Sequence, residues 1–307
     1  MRPFNLEMNC MEKQTVRQRV VGIGELLWDM LPEGKTPGGA TANFAYHVSQ
    51  FGLEGVVVSA VGNDPLGDEL NTLLESRGVN TCLQRNDYPT GSVLVELDAQ
   101  GIPAYTIREH TAWDHILFDE TLLKVASGCA AASFGSLAQR EEASRESIHR
   151  FLQSMPSESW RIFDINLRQS FYTEEVIKGS LECCNVLKIN DEELVVLDRM
   201  FALGEGSQEE LCRRIMERYP LRALILTCGS RGSYVFTEEE SSYRETPRVE
   251  VVDTVGAGDS FTGSFCAALL RGKSIPEAHA LAVDVAAYVC TQAGGMPPMP
   301  AALKNRL

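Results

Sequence analysis

From Val20 onward, short aliphatic and β-branched runs alternate with longer segments whose apolar positions recur at helical spacing. Residues 56–61, 162–165, 186–189 and 223–227 are apolar on nearly every position, as strands buried on both faces of a parallel sheet must be. Helices are predicted over 41–51, 68–77, 191–200, 208–218, 260–271 and 275–291. Strand and helix in alternation give βαβ units, so the fold class is α/β with a mainly parallel central sheet. Ligands of such sheets gather beyond the carboxyl ends of the strands, and position alone nominates Asn166, Arg168, Asn190, Glu193 and Gly229.

One stretch breaks this rhythm. Gly91–Leu97, the turn Asp98–Gly101 and then Ile102–Ile107 read as a hairpin, either a lid over a site or an ordinary edge hairpin. With 307 residues and 44% hydrophobic content, the chain can bury one large core or two smaller ones. The first eighteen or so residues are polar and charged, unlike a secretory signal, and read as a loose arm with Met8 and Met11 as alternative starts. The expected division is a flexible leader over 1–19 and one domain over 20–307, with a lid inserted around 29–37 and 90–110.

A formal net charge of −14 argues against wrapping a nucleic-acid backbone or resting on an anionic membrane. Nine cysteines without a C-x-x-C pair read as reduced thiols, and five histidines form no metal-binding motif. No apolar run reaches the length of a membrane span, so a cytoplasmic protein is expected.

The densest chemical signal is Asp253-Thr-Val-Gly-Ala-Gly-Asp259, which runs straight into the apolar helix beginning at Ser260. Glycines at 256 and 258 let consecutive N–H groups converge at a helix amino terminus, an arrangement suited to phosphate. A carboxylate repels phosphate, so Asp259 in that place implies a task such as taking a proton from an attacking hydroxyl. That combination points to phosphoryl transfer. Two other phosphate motifs fail: the Gly-Lys-Thr at 34–36 lacks its leading glycine, since Asp29 stands there, and Gly22-Ile-Gly24 lacks its third small residue, since Leu27 stands there.

A second block, Pro37-Gly-Gly-Ala-Thr-Ala-Asn43, brings glycine-lined backbone and a side-chain amide to the start of a helix. Gly38 and Gly39 allow close approach of a small ligand, and Asn43 offers both a donor and an acceptor, as a polyol requires. Upstream, Gly24-Glu-Leu-Leu-Trp-Asp29 ends the expected first strand with acidic side chains. Asp29 there either binds vicinal hydroxyls or serves as a turn residue.

Together these blocks resemble the ribokinase-like carbohydrate kinases, the phosphofructokinase B family, from about Val20 to Met299. Gly38-Gly39 with Asn43 and Gly52 match the amino-terminal signature of that family, and Asp253–Asp259 with Gly263 match its carboxyl-terminal one. Asp164-Ile-Asn-Leu-Arg168, Asn190-Asp-Glu-Glu193 and Thr227-Cys-Gly-Ser-Arg-Gly232 are further family-like pieces. The resemblance implies a three-layer α/β/α sandwich with a small β-lid, using ATP and Mg²⁺ and, in some relatives, K⁺. It makes Asp259 the base, with Gly256, Ala257 and Gly258 forming the anion cradle. It implies that Asp29, Gly38, Gly39 and Asn43 bind the sugar, with Tyr105 and Arg108 reaching it from the flap. Arg168 would neutralise the phosphate tail, and Thr227, Gly229, Gly232 and Asn190 would hold the nucleotide. Asn190 with Glu193 would organise the magnesium and Asp253 the potassium. The segment from Glu25 to Asp29 looks more like the fructokinase branch than ribokinase. Fructose is the leading substrate, with ribose, 2-keto-3-deoxygluconate, tagatose and nucleosides as alternatives. A homodimer through the lid is expected; a non-catalytic sugar-binding regulator is the rival of another class.

Overall fold

The structure, a computed structural model, describes residues 18–31, 34–97 and 103–307. The leader expected over 1–19 therefore lies almost wholly outside the described residues, as does the hairpin turn 98–101.

The first strands along the chain are β1 (Arg19–Ile23), β2 (Leu27–Leu31), β3 (Gly34–Gly38), β4 (Glu54–Gly62), β5 (Asn80–Asn86), β6 (Gly91–Leu97) and β7 (Pro103–Ile107). They are followed by β8 (Cys129–Phe134), β9 (Trp160–Asp164), β10 (Val186–Asn190), β11 (Ala223–Thr227), β12 (Ser233–Phe236) and β13 (Ser241–Arg244). The helices are α1 (Ala40–Gln50), α2 (Pro65–Ser76), α3 (Glu120–Ser127), α4 (Glu142–Gln153) and α5 (Glu174–Cys183). Then come α6 (Asp191–Phe201), α7 (Gln208–Arg218), α8 (Ala257–Leu270), α9 (Ile275–Cys290) and the short α10 (Ala301–Lys304).

Nine strands form the main sheet in the order β13-β12-β11-β10-β9-β8-β1-β4-β5, parallel from β11 to β5 and antiparallel at the β12 and β13 edge. Successive residues of a strand face opposite sides, and β1 shows it: Val20 belongs to the buried cluster that holds Phe44, Phe261, Phe265 and Leu281, whereas Val21 belongs to the one that holds Phe134, Ile148 and Phe163. The first set comes from α1, α8 and α9 on one face. Helices α3 to α7 cover the other. The result is the expected three-layer sandwich.

A second, four-stranded sheet, β3-β2-β6-β7, is built from two separate excursions of the chain. Its outer pairs are antiparallel and its central pair, β2 with β6, is parallel. The flap is thus a mixed sheet rather than a lone hairpin. The first strand does not continue to Asp29, because the chain leaves the main sheet after Ile23 and re-enters extended structure at Leu27 as a lid strand. Asp29 is therefore carried by the lid, paired in register with Thr36.

Candidate active site

Helix α8 begins at Ala257, three residues before the expected start, because Gly256 in the left-handed conformation (φ 75°) turns the chain into it. A side chain at 256 would also collide with Gly295, whose Cα lies 2.6 Å from the position its Cβ would take. The turn aims the first amides of an apolar helix at one spot. The Ala257 N–H closes a turn onto the Thr254 carbonyl (3.2 Å). The first amide bonding back within the helix start is Ser260, to Gly256 O (2.8 Å), which leaves the Gly258 and Asp259 N–H groups as the free pair of the cradle.

Beneath this pair lies a buried cation that the sequence reading passed over. Lys188 on β10 places its Nζ 3.2 Å from where a side chain on Gly258 would begin. The same ammonium donates to both carboxylate oxygens of Asp164 at 3.0 Å, across a register in which Lys188 and Asp164 are neighbours on β10 and β9. Burial pulls the ammonium down, but the charges of Asp164, Glu193 and Asp259 outweigh it and hold it above its ordinary value. The Thr262 hydroxyl, one turn into α8, lies 3.0 Å from Asp164 Oδ2 and 2.9 Å from Gly258 O, tying the helix to the pair. A lysine within a strand buried on both faces was itself the missed signal, because such a charge must find a partner.

Asp259 meets Asn43 directly: Asn43 Nδ2 donates to Asp259 Oδ2 at 2.7 Å. The two signature blocks thus join at one carboxylate. Burial pushes the Asp259 carboxyl up to about 6, with the charge of Asp164 adding to it, while Asn43, Lys188 and Arg168 pull the other way. Its basicity is accordingly closer to neutrality than that of a solvent-exposed aspartate. Ala40, Thr41, Asn166 and Asp259 line one cleft. A larger hollow beside Arg161, Glu182 and Cys183, at the amino-terminal ends of β9 and β10, contains none of these groups.

The glycine pair brings α1 up to this cleft. Gly39 has φ 109°, and its missing side chain would lie 2.4 Å from the Glu25 carbonyl oxygen. The Glu25 carboxylate, 4% exposed, accepts the Ala40 N–H at 3.1 Å, and burial pushes it up to about 7, with the charge of Asp259 contributing. Asp29, at the lid, is raised to about 6 by burial and then by Asp253. Its carboxylate lies against Gly38. His47 supports the floor from α1: its Nε2 bonds the Gly295 carbonyl at 2.9 Å, and burial holds it neutral, down to about 4. Neither Glu25 nor His47 stood among the expected site residues.

On the opposite side, Arg168 reaches from the loop after β9 and donates to Asn166 Oδ1 (3.0 Å). Thr227 ends β11, and Gly229 (φ 56°) and Gly232 (φ 111°) flank a single tight turn before β12. Asn190 caps α6. Its Oδ1 accepts the Glu193 N–H (2.8 Å), and the Glu193 carboxylate returns to the Asn190 N–H (2.9 Å) and accepts the Leu167 N–H (3.0 Å). Both Glu193 oxygens are therefore occupied by amides, and the side chain is 7% exposed. Asp253 is similarly engaged, accepting from Val255 N and Gly294 N at 3.0 Å. Among the described residues no three His, Cys, Asp or Glu side chains converge as a metal set. Direct coordination by Glu193 does not fit this arrangement. Tyr105 and Arg108 are exposed on and just beyond the lid edge strand β7.

The family model for pfkB family carbohydrate kinases matches residues 32–302. A fructokinase of Salmonella typhimurium is 28% identical over 297 residues, covering 91% of this chain and 95% of its own. The aminoimidazole riboside kinase of the same species is also 28% identical, over 301 residues and 91% of each chain. Among solved structures, an uncharacterized sugar kinase of Pyrococcus horikoshii in complex with ATP superposes with a TM-score of 0.77 at 25% identity, covering 94% of this chain and 96% of the other. With the family model matched over residues 32–302, most of its length, the chain belongs to the pfkB family of carbohydrate kinases.

Proposed function

We propose that this sugar kinase transfers the γ-phosphoryl group of ATP to a hydroxyl of a free monosaccharide, with fructose as the leading acceptor. The observation that carries the reading is the 2.7 Å bond between Asn43 and Asp259 above the Lys188 ammonium. Asp259, bound by Asn43 and lifted towards neutrality, takes the proton as the acceptor oxygen bonds to the γ-phosphorus and the bond to the β-phosphate oxygen breaks. The Gly258 and Asp259 amides, the positive end of α8 and Lys188 stabilise the charge on the migrating group. Arg168, with Thr227 and the Gly229–Gly232 turn, would hold the nucleotide. Asn190 and Glu193 would meet the magnesium of MgATP only through its waters, and Asp253 would face a potassium ion; no step requires a metal ligand from the chain.

Asp29, Gly38 and Gly39 would bind the sugar hydroxyls, and the lid, with Tyr105 and Arg108, would exclude water. Large apolar side chains left open on and beside the lid, Leu94 (48% exposed) and Tyr105 (55%), support a homodimer through this sheet. No helix among the described residues is long and apolar enough to cross a membrane, and the cysteines described are free thiols, in keeping with the cytoplasmic setting we assign.

Of two relatives at 28% identity, one is named a fructokinase and the other an aminoimidazole riboside kinase, so a nucleoside-like acceptor is the second reading. An ADP-release assay over fructose, ribose, 2-keto-3-deoxygluconate and adenosine separates them. Fructose should give the highest kcat/KM. A preference for adenosine would favour the second reading, and no turnover on any acceptor would overturn the kinase assignment in favour of a sugar-binding regulator.

A further inference from the structure

Strand β7 is an edge of the lid sheet, so one row of its backbone groups has no strand to pair with. Two side chains from the body of the enzyme meet this part of the lid. Gln169 Nε2 donates to the Tyr105 carbonyl at 2.7 Å, and Arg140 Nη2 donates to the Arg108 carbonyl, just past the strand, at 2.7 Å. The lid edge therefore docks through side-chain hydrogen bonds.

These two contacts differ in kind. Arg140 is held firmly: its Nε and Nη2 each bond Asp114 at 2.7 Å, and its guanidinium lies 4.1 Å from the centre of the Trp113 ring and 4.8 Å from that of Phe171. It is a permanent root. Gln169 is exposed and makes a single bond from a loop that turns sharply, with φ 44° at Asn166 and 49° at Gln169. Between those two positions stands Arg168, bonded to Asn166 Oδ1 and closed by the Phe171 N–H to Arg168 carbonyl bond (3.1 Å). One short loop thus carries the cation assigned to the phosphate tail and the amide that grips the lid.

We propose that Gln169 is a positioning residue that couples the two substrates: by tying the lid at Tyr105 to the Arg168 loop, it makes acceptor and nucleotide strengthen each other's binding. This rests on the assignments of the lid to the acceptor and of Arg168 to ATP. An acceptor that draws the lid down pulls the loop into its nucleotide-binding shape. A nucleotide that orders the loop offers the lid its anchor. Reciprocity follows from linkage, since each ligand must change the other's affinity by the same factor. The coupling is limited to the worth of one hydrogen bond, about fivefold in affinity.

Calorimetric titration of a non-hydrolysable ATP analogue, with and without saturating fructose, tests this in the full chain and in Gln169→Ala. The unaltered protein should bind the analogue several-fold more tightly when fructose is present. In Gln169→Ala that ratio should fall towards one, while affinity for the analogue alone changes by less than about twofold. An undiminished ratio in the variant would overturn the proposal. Should fructose not bind at all, the acceptor assignment fails separately, and hydrogen exchange then decides the coupling. The analogue alone should slow exchange over Tyr105–Arg108 in the parent and not in Gln169→Ala or Gln169→Glu, and equal slowing in all three would refute it.

Discussion

Replacing Asp259 by Asn should separate activity from stability in opposite directions. The substitution preserves shape and can still offer an amide oxygen to Asn43 Nδ2, so the 2.7 Å contact has a surviving acceptor. What disappears is the proton acceptor, a contribution of about 10²–10⁴ in rate, or roughly 3–5 kcal/mol of barrier. The folded state gains at the same time. The carboxyl is raised from 3.8 to about 6, which means that the native structure disfavours its charged form. Because the folded pKa lies above the unfolded one, this carboxyl weakens the fold as pH rises from about 4 to 6, and the full penalty persists at neutrality. Two pKa units correspond to roughly 3 kcal/mol at most. A neutral amide escapes that penalty, so the variant should melt a few degrees higher at pH 7.5. Steady-state ADP release and a thermal melt on one preparation measure both. Turnover within about threefold of the parent, or a lower melting temperature at neutral pH, would refute the assigned role.

Two further outcomes follow from the same electrostatics. Activity should fall about tenfold per pH unit below about 6, as Asp259 takes up its proton; Glu25→Gln should leave that acid limb within half a unit, because Glu25, raised to about 7, is still neutral when Asp259 ionises. A pH profile of kcat/KM in which the limb moves by a full unit would contradict this order of titration. Lys188→Met should strand the buried Asp164 and cost about 3–5 kcal/mol in denaturant unfolding, with loss of activity even in the folded fraction; an unchanged midpoint would show that the pair is dispensable.

Much of the site was legible because its signals are local. Gly256 and Asp259 declare a turn and a carboxylate within one short run, and Gly38, Gly39 and Asn43 do the same at the other end of the chain. Helix α7 spans the expected 208–218, and the structure shows a capping box of Ser207 and Glu210 bounding its start. Strand β8 was not seen, because Cys-Ala-Ala-Ala-Ser-Phe lacks the β-branched residues that mark a strand; tertiary pairing with β1 and β9 makes it one. The lid escaped in part for a related reason: β2 and β6 pair in parallel across a long stretch of chain, and no local pattern announces that register. Lys188 and Glu25 became interpretable only when neighbours from other strands and helices surrounded them. Their roles depend on desolvation and on charges distant in sequence, which a reading of spacing does not contain.

The bond between Asn43 and Asp259 spans 216 positions, and His47 reaches Gly295 across 248. The two halves of the site therefore meet only after the chain has been made through Gly295. A chain emerging from the ribosome possesses its glycine block early, but it lacks the carboxylate, the amides at the mouth of α8 and the loop that braces them until synthesis has passed Gly295. A molecule that stops short of Asp259 lacks the group assigned to phosphoryl transfer, and a nick that frees α8 and α9 should silence the enzyme while leaving most of its sheet intact.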